Sequence, residues 1–144
     1  MLEPFKNKRN VNRKAHFPVF VVALMLAGCG ILPSSDRSVK TAFQTNASNV
    51  QVEDQGVVSR LLSDDTTGTP HQRFILRTAT GQTVLIDHNT EISTAIKDLK
   101  VGDKVEFSGE YVWNPQGGLV HWTHHDPAAR HPNGWLKHNG RTYE

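Results

Sequence analysis

The 144-residue sequence predicts a small, mainly β domain behind an N-terminal export signal. Three observations predict it: five short β-rich runs, clusters of Gly, Asn and Asp between several of them, and one run that alternates between apolar and polar residues. Short strands joined by such turns are typical of a small barrel or sandwich. The chain that follows the signal is long enough for one domain of modest core and too short for two.

The β-rich runs cover residues 57–62, 73–78, 83–88, 104–112 and 119–124. The fourth places Val105, Phe107 and Tyr111 on one side, which indicates a strand with one buried face. Turn residues at 64–68, 80–82 and 114–118 supply links between strands. Residues 92–99 are predicted to form one or two helical turns. This order is that of the OB-fold, so we predict a five-stranded OB-like barrel with one short helix and a long C-terminal loop.

The first 28 residues have the layout of a secretory signal. A basic start leads into an unbroken apolar run, residues 19–27, which is too short for a spanning helix of about 20 residues. The segment ends Leu26-Ala27-Gly28-Cys29 and resembles the cleavage box of bacterial lipoprotein precursors. The resemblance implies a lipidated Cys29 as the mature N-terminus. By the same resemblance, Gly30 favours the outer membrane, with the domain facing the periplasm.

The predicted organisation is a signal peptide over residues 1–28, a lipidated polar tether over 29–55, and the β domain over 56–144. The tether is polar, and such a composition buries too little surface to fold alone. Within it, Ser35 is predicted to cap a short helix that runs through Phe43.

The charge of the chain changes sign when the signal segment is set aside. The whole sequence carries 16 basic and 14 acidic residues, but five basic residues and only Glu3 of the acids lie in the first 14 positions. The remainder has 11 basic and 13 acidic residues, a net charge of −2. Overall charge therefore offers no argument for binding nucleic acid.

Seven histidines follow the signal segment, and four of them lie within eleven residues beside an aspartate. Imidazole and carboxylate are donors that zinc and related divalent ions prefer. The candidate metal ligands are His71, His88, His121, His124, His125, Asp126 and His131. Under the alternative interpretation, these histidines bond loop carbonyls and carboxylates and hold the C-terminal loop against the barrel.

A second candidate site is aromatic. OB-fold proteins bind oligonucleotides and oligosaccharides by stacking them on aromatic side chains. Tryptophan stacks on sugar rings without needing positive charge, so a glycan suits an acidic domain better than nucleic acid does. Under the alternative interpretation, the tryptophans fill the core. The ligand-binding candidates are Arg73, Trp113, Trp122 and Trp135.

Several segments together resemble one bacterial family of short exported proteins. They are His71 to Leu76, Leu85 to Asn89, Gly109 to Asn114, the block His121-Trp122-Thr123-His124-His125-Asp126-Pro127, Gly134-Trp135-Leu136 and Asn139 to Tyr143. The resemblance is to the domain-of-unknown-function family numbered 3465, over about residues 56–143. The chain departs from the usual family pattern in two places. The family's His-Asn-Ile-Asp is His88-Asn89-Thr90-Glu91 here, and its Glu-Trp-Asn is Val112-Trp113-Asn114, so the acid before the tryptophan is missing. The family implies no established activity.

These features predict a lipid-anchored periplasmic domain that binds an envelope protein, a glycan or a small ligand. The first alternative is a metal-dependent hydrolase of a phosphodiester or glycan, in which a divalent ion held by the histidines and Asp126 activates water. The second is an oligonucleotide-binding OB-fold, and the third is an assembly factor that pairs through its edge strands. The sequence contains no nucleophile-elbow motif, no His-Glu-x-x-His motif and no P-loop.

Overall fold

The computed structural model describes residues 36–144. The predicted signal peptide, the lipidated Cys29 and the predicted cap Ser35 lie outside the described residues. Within residues 36–144, no helix is long and apolar enough to cross a bilayer.

One short helix and seven strands make up the described part of the chain. They are α1 (Val39–Gln44), β1 (Val50–Leu61), β2 (His71–Thr78), β3 (Thr83–Asn89), β4 (Lys104–Val112), β5 (Leu119–His121), β6 (Trp135–His138) and β7 (Arg141–Tyr143).

Five of the strands close into a barrel. The strand order is β1-β2-β3-β5-β4, and β1 also pairs with β4, which completes the circle. All pairs in the circle are antiparallel except β3 with β5, which are parallel. The predicted five-stranded OB-like barrel is confirmed, and the two further strands, β6 and β7, extend the sheet beyond β4.

Alternation along each strand separates a buried interior from an outer face. In β2 and β3, Phe74, Leu76, Val84 and Ile86 are almost fully buried, because successive side chains of a strand point to opposite faces. Strand β4 adds Val105, Phe107 and Tyr111 to the same core. The residues between them face outward, and they form the surfaces described below.

The predicted helical turns between β3 and β4 are wrong. Residues 90–103 form turns without a helix. The Gln72 side chain bonds both the N–H and the carbonyl of Ile96, each at 2.9 Å, and Asp98 has a φ of +58°. A helix needs those backbone groups for its own bonds and does not accept a left-handed residue.

The short helix lies instead before the barrel, in the stretch predicted to be a tether. Ser38 caps α1 by accepting a bond from the Thr41 N–H at 3.3 Å, and Asp54 of β1 accepts a bond from the Val39 N–H at 3.1 Å. Val39 is fully buried in the barrel core. Because α1 and the first part of β1 pack within the domain, residues 38–55 belong to it in this structure.

The predicted long C-terminal loop ends at residue 134, where a β-hairpin begins. Asn139 and Gly140 connect β6 to β7, both with positive φ, the geometry of the tight turn that Asn-Gly favours. Strand β6 pairs with β4, Leu136 opposite Phe107. The buried His138 bonds Asp103 through Nε2 at 2.9 Å. A β-hairpin, formed by an apolar strand face and a favourable turn sequence, therefore takes the place of the last part of the predicted loop.

Gly109 of β4 lets the segment after β5 lie directly against the barrel. A Cβ atom at this position would be 2.5 Å from the His121 carbonyl oxygen and 2.9 Å from Thr123 Cγ2. We therefore expect Gly109→Ala to lower the free energy of unfolding by about 3 kcal/mol, the upper end of the range for overpacking. Urea unfolding measures this change.

Gly81→Ala is the matched control. Gly81 has a φ of +83° and open space where the Cβ would lie, so the variant carries only a backbone penalty of about 1 kcal/mol. Equal losses for the two variants would show that the close approach at Gly109 is not a packing constraint.

Candidate binding groove and histidine cluster

A groove of about 530 Å³ crosses the outer face of β1, β2 and β3 beside the β4–β5 loop. Its volume lies in the range of small-molecule sites, about 300 to 1,000 Å³, and OB-folds bind ligands on this part of the barrel. Among the residues that line it are Arg60, Ile75, Arg77, Leu85, Asn114 and Gln116.

A β-bulge in β1 places Arg60 on this outer face. Val58 pairs with Leu76, but Arg60 pairs with the next residue of β2, Ile75, so Ser59 is the extra residue. Simple alternation from the buried Val58 would point residue 60 inward, and the bulge reverses this. Arg60 is accordingly exposed and lines the groove.

The groove is basic although the domain as a whole is acidic. Arg60 and Arg77 are both exposed. Neither forms an ion pair with another described residue, and no carboxylate of the described residues lines the groove. The neighbouring cation on the same face of β2, Arg73, is by contrast paired with Asp87 of β3, with Arg73 Nε 3.9 Å from Asp87 Oδ1. Two cations thus remain available to a ligand.

The β4–β5 loop that borders the groove has a fixed shape. The buried Tyr111 hydroxyl donates to the Gly117 carbonyl at 3.1 Å. Asn114 Oδ1 accepts bonds from the N–H groups of Gln116 and Gly118, each at 3.0 Å. Burial also raises the pKa of Tyr111. The loop therefore presents its side chains to the groove with little freedom to rearrange.

A second cavity, of about 300 Å³, lies near the far end of β3, where four histidines come together. It is lined among others by His71, His121, Trp122, His124, Arg130 and His131. Trp122 has a φ of +55°, which is strained for a bulky residue, and its ring centroid lies 3.8 Å from that of His131. This histidine cavity gathers four of the seven predicted metal-ligand candidates.

Three of these imidazoles are tied to the backbone. The Nδ1 atoms of His71, His124 and His131 lie 2.7 to 2.9 Å from the carbonyl oxygens of neighbouring residues. A carbonyl only accepts, so each Nδ1 carries the proton. His121 instead places Nε2 3.4 Å from Glu110 Oε1, and burial lowers its pKa despite that carboxylate.

Asp126 organises the loop that carries the histidines. Its carboxylate accepts the N–H groups of Ala128, Arg130 and His131 at 2.6 to 3.2 Å. Burial alone would raise the pKa of Asp126, but these N–H groups and the Arg130 guanidinium outweigh burial and lower it to about 2. A carboxylate whose oxygens accept backbone bonds in this way holds residues 126–131 in one conformation.

His88 and His125 lie apart from the histidine cavity. His88 is fully buried inside the barrel, with Nδ1 2.8 Å from Thr123 Oγ1 and Nε2 3.4 Å from the Thr94 carbonyl. Desolvation lowers the pKa of His88 to about 4. The side chain of His125 is exposed.

The described residues do not assemble a chelating set. Among residues 36–144, no three His, Cys, Asp or Glu side chains are arranged to share a metal ion. His124 and His131 bond carbonyls within the 122–134 segment, and His88 bonds Thr123 of that segment from the barrel.

The aromatic candidates are spread over three places. Trp113 stacks on Phe43 of α1 at 6.3 Å between ring centroids. Trp122 lines the histidine cavity, and Trp135 of β6 lines a shallow cavity with Glu53, Asp54 and Glu106. Arg73 is paired with Asp87. The structure therefore brings none of these four to the groove.

Sequence reasoning missed Arg60 and the apolar floor formed by Ile75 and Leu85. In the sequence, the floor residues are ordinary outward-facing strand positions. They form a floor only because neighbouring strands and the β4–β5 loop lie beside them in the fold. Arg60 reaches the groove only because of the bulge at Ser59. The adjacent Val57-Val58 pair followed by polar residues was the available signal, since it interrupts the alternation of β1.

The buried His88 makes the stability of the barrel depend on pH. Its pKa lies below the ordinary 6.5 in the folded state, so between pH 6.5 and about 4 the unfolded chain takes up a proton that the folded chain does not. Stability therefore falls as pH drops through this window, by about 1.4 kcal/mol per unit and roughly 3 kcal/mol in all. Urea unfolding at pH 4 to 7 measures the slope.

His88→Gln is expected to flatten that slope, whereas His125→Gln, at an exposed position, is the control that keeps it. His121 contributes a slope of the same sign to both variants, because its pKa is also lowered by burial. An unchanged slope in His88→Gln would mean that this imidazole does not resist protonation in the folded state.

Comparison with known proteins gives one match. A family model described as "Protein of unknown function (DUF3465)" matches residues 20–144. No curated protein and no solved structure matches the chain. The family match spans the barrel, the histidine-bearing segment and the C-terminal hairpin together. The chain therefore belongs to the DUF3465 family.

Proposed function

We propose that this protein is a lipid-anchored binding module of the bacterial cell envelope, and that its ligand occupies the groove on β1, β2 and β3. The observation that carries the proposal is the groove itself: an apolar floor, two cations without ion-pair partners, and a bordering loop fixed by its own hydrogen bonds. A site whose walls are already ordered loses little conformational entropy when it binds.

The histidine cavity does not favour metal-dependent hydrolysis. Water activation by a metal requires donors that converge on one point and leave a position open. Within residues 36–144 no three such donors are grouped around one point, and the Asp126 carboxylate is already engaged by three backbone N–H groups. These contacts favour a structural role for the cluster, which shapes the end of the same outer face.

A carboxylate in the groove floor is expected to abolish binding. Leu85 is half-buried on the outer face of β3, and Leu85→Glu would place a negative charge beside the ligand. Native mass spectrometry of full-length protein extracted from membranes and incubated with envelope extract should show a bound molecule on the wild type. We expect that mass adduct to be lost, by at least tenfold in occupancy, in Leu85→Glu.

Val101→Glu is the matched control, because Val101 is 63% exposed and lines none of the cavities described above. It should keep the adduct and the wild-type melting temperature. A wild type without any adduct, or an adduct equally occupied in Leu85→Glu, would contradict a ligand in the groove.

The proposed membrane anchor depends on Cys29. Cys29→Ser removes the only thiol of the chain, so we expect the precursor to remain unprocessed and unlipidated. Acyl chains contribute about 0.8 kcal/mol of membrane binding for each buried CH₂, so the unlipidated variant should also bind membranes more weakly. Mass spectrometry of the purified protein should show that the mass of the acyl chains is missing. If Cys29→Ser is still processed, and has the same added mass and membrane affinity as the wild type, the lipoprotein assignment is wrong.

A further inference from the structure

We infer that the ligand of the groove is an anionic amphiphile, a molecule with an oxyanion head group on an aliphatic chain. The inference rests on the proposed function and names the chemical class of the ligand. It depends on the charge of the groove rim, the character of the floor and the positions of both on one face of the sheet.

The rim is selectively basic. Residues 36–144 contain 13 acidic and 11 basic residues, yet the groove is lined by two arginines and by none of the 13 acids. Arg77 also lines an adjoining cavity together with Lys104. The two residues lie on either side of Val57, which pairs with Arg77 of β2 and with Lys104 of β4. Lys104 is paired with Glu106 at 3.8 Å, but Arg60 and Arg77 have no ion-pair partner among the described residues, and two such cations on an acidic domain favour a negatively charged partner.

Arginine sets the kind of anion. Its planar guanidinium binds phosphate and carboxylate oxygens through two parallel hydrogen bonds. Arg60 lies opposite Ile75, and Arg77 follows Ile75 by two positions on the same face of β2. Because both arginines flank one position of the floor and line the same groove, they suit a single head group with several oxygens.

The floor is aliphatic. Leu62, Ile75 and Leu85 line the groove, and none of its lining residues, all within the described part of the chain, is aromatic. Sequence-tolerant binding of oligonucleotides depends on aromatic stacking platforms, so this floor does not suit bases. A flexible alkyl chain needs only an apolar surface to cover. Charge and floor together therefore select an anionic amphiphile over a nucleic acid.

The test uses short, water-soluble probes on the full-length protein in nanodiscs of zwitterionic lipid. Isothermal titration with hexyl phosphate should show binding, whereas inorganic phosphate and hexanol, which each lack one half of the ligand, should bind at least tenfold more weakly. Hexanoate serves as a further arm that separates a phosphate from a carboxylate head. The double variant Arg60→Gln/Arg77→Gln should lose at least tenfold in affinity for hexyl phosphate.

Arg37→Gln/Arg141→Gln is the matched control, since both residues are exposed and lie outside the groove. It should bind hexyl phosphate like the wild type. Three outcomes would overturn the inference: no binding of hexyl phosphate or hexanoate, equal affinity in the two double variants, or equal affinity for either half-probe. If one of these occurs while Leu85→Glu still loses its native adduct, the groove is a binding site for another class of ligand.

Discussion

Closure of the barrel by β1 is the constraint on which the rest of the structure depends. This strand of 12 residues pairs with β4 through residues 50–57 and with β2 through residues 56–61. Once both edges are occupied, each strand has one inner and one outer face, and every inward side chain must fit a shared core. The bulge at Ser59 lies where β1 continues along β2 beyond its last pair with β4, and it turns Arg60 to the outer face.

The same closure bears on the histidines that lie in or beside the 122–134 segment. A small barrel has little room for the 122–134 segment, which must lie on the outside and satisfy its own backbone groups. His124, His131 and Asp126 supply those bonds, and His88 reaches Thr123 from inside the barrel. These bonds hold the 122–134 segment in one shape and link it to the barrel, whereas the groove on β1, β2 and β3, our proposed ligand site, has two arginines without ion-pair partners among the described residues.

Much of the fold follows from local patterns, whereas the binding surface does not. Alternation in β4 and the turn residues between strands predict the barrel, because those signals depend only on neighbours in sequence. The helix predicted at residues 92–99 does not form because Gln72, a residue of β2, takes the backbone bonds of Ile96. Arg60 and Leu85 line one groove only because β1 and β3 pair on either side of β2. The three tryptophans are predicted ligand-binding residues, but they lie on other parts of the domain.

The most direct test of the groove as the binding surface is hydrogen exchange by mass spectrometry. The full-length protein in zwitterionic nanodiscs would be compared with and without saturating hexyl phosphate. The account predicts slower exchange in peptides from residues 59–62, 73–85 and 113–118, with no change in β6 and β7. Slowing confined to residues 121–134, or no slowing at all, would contradict it.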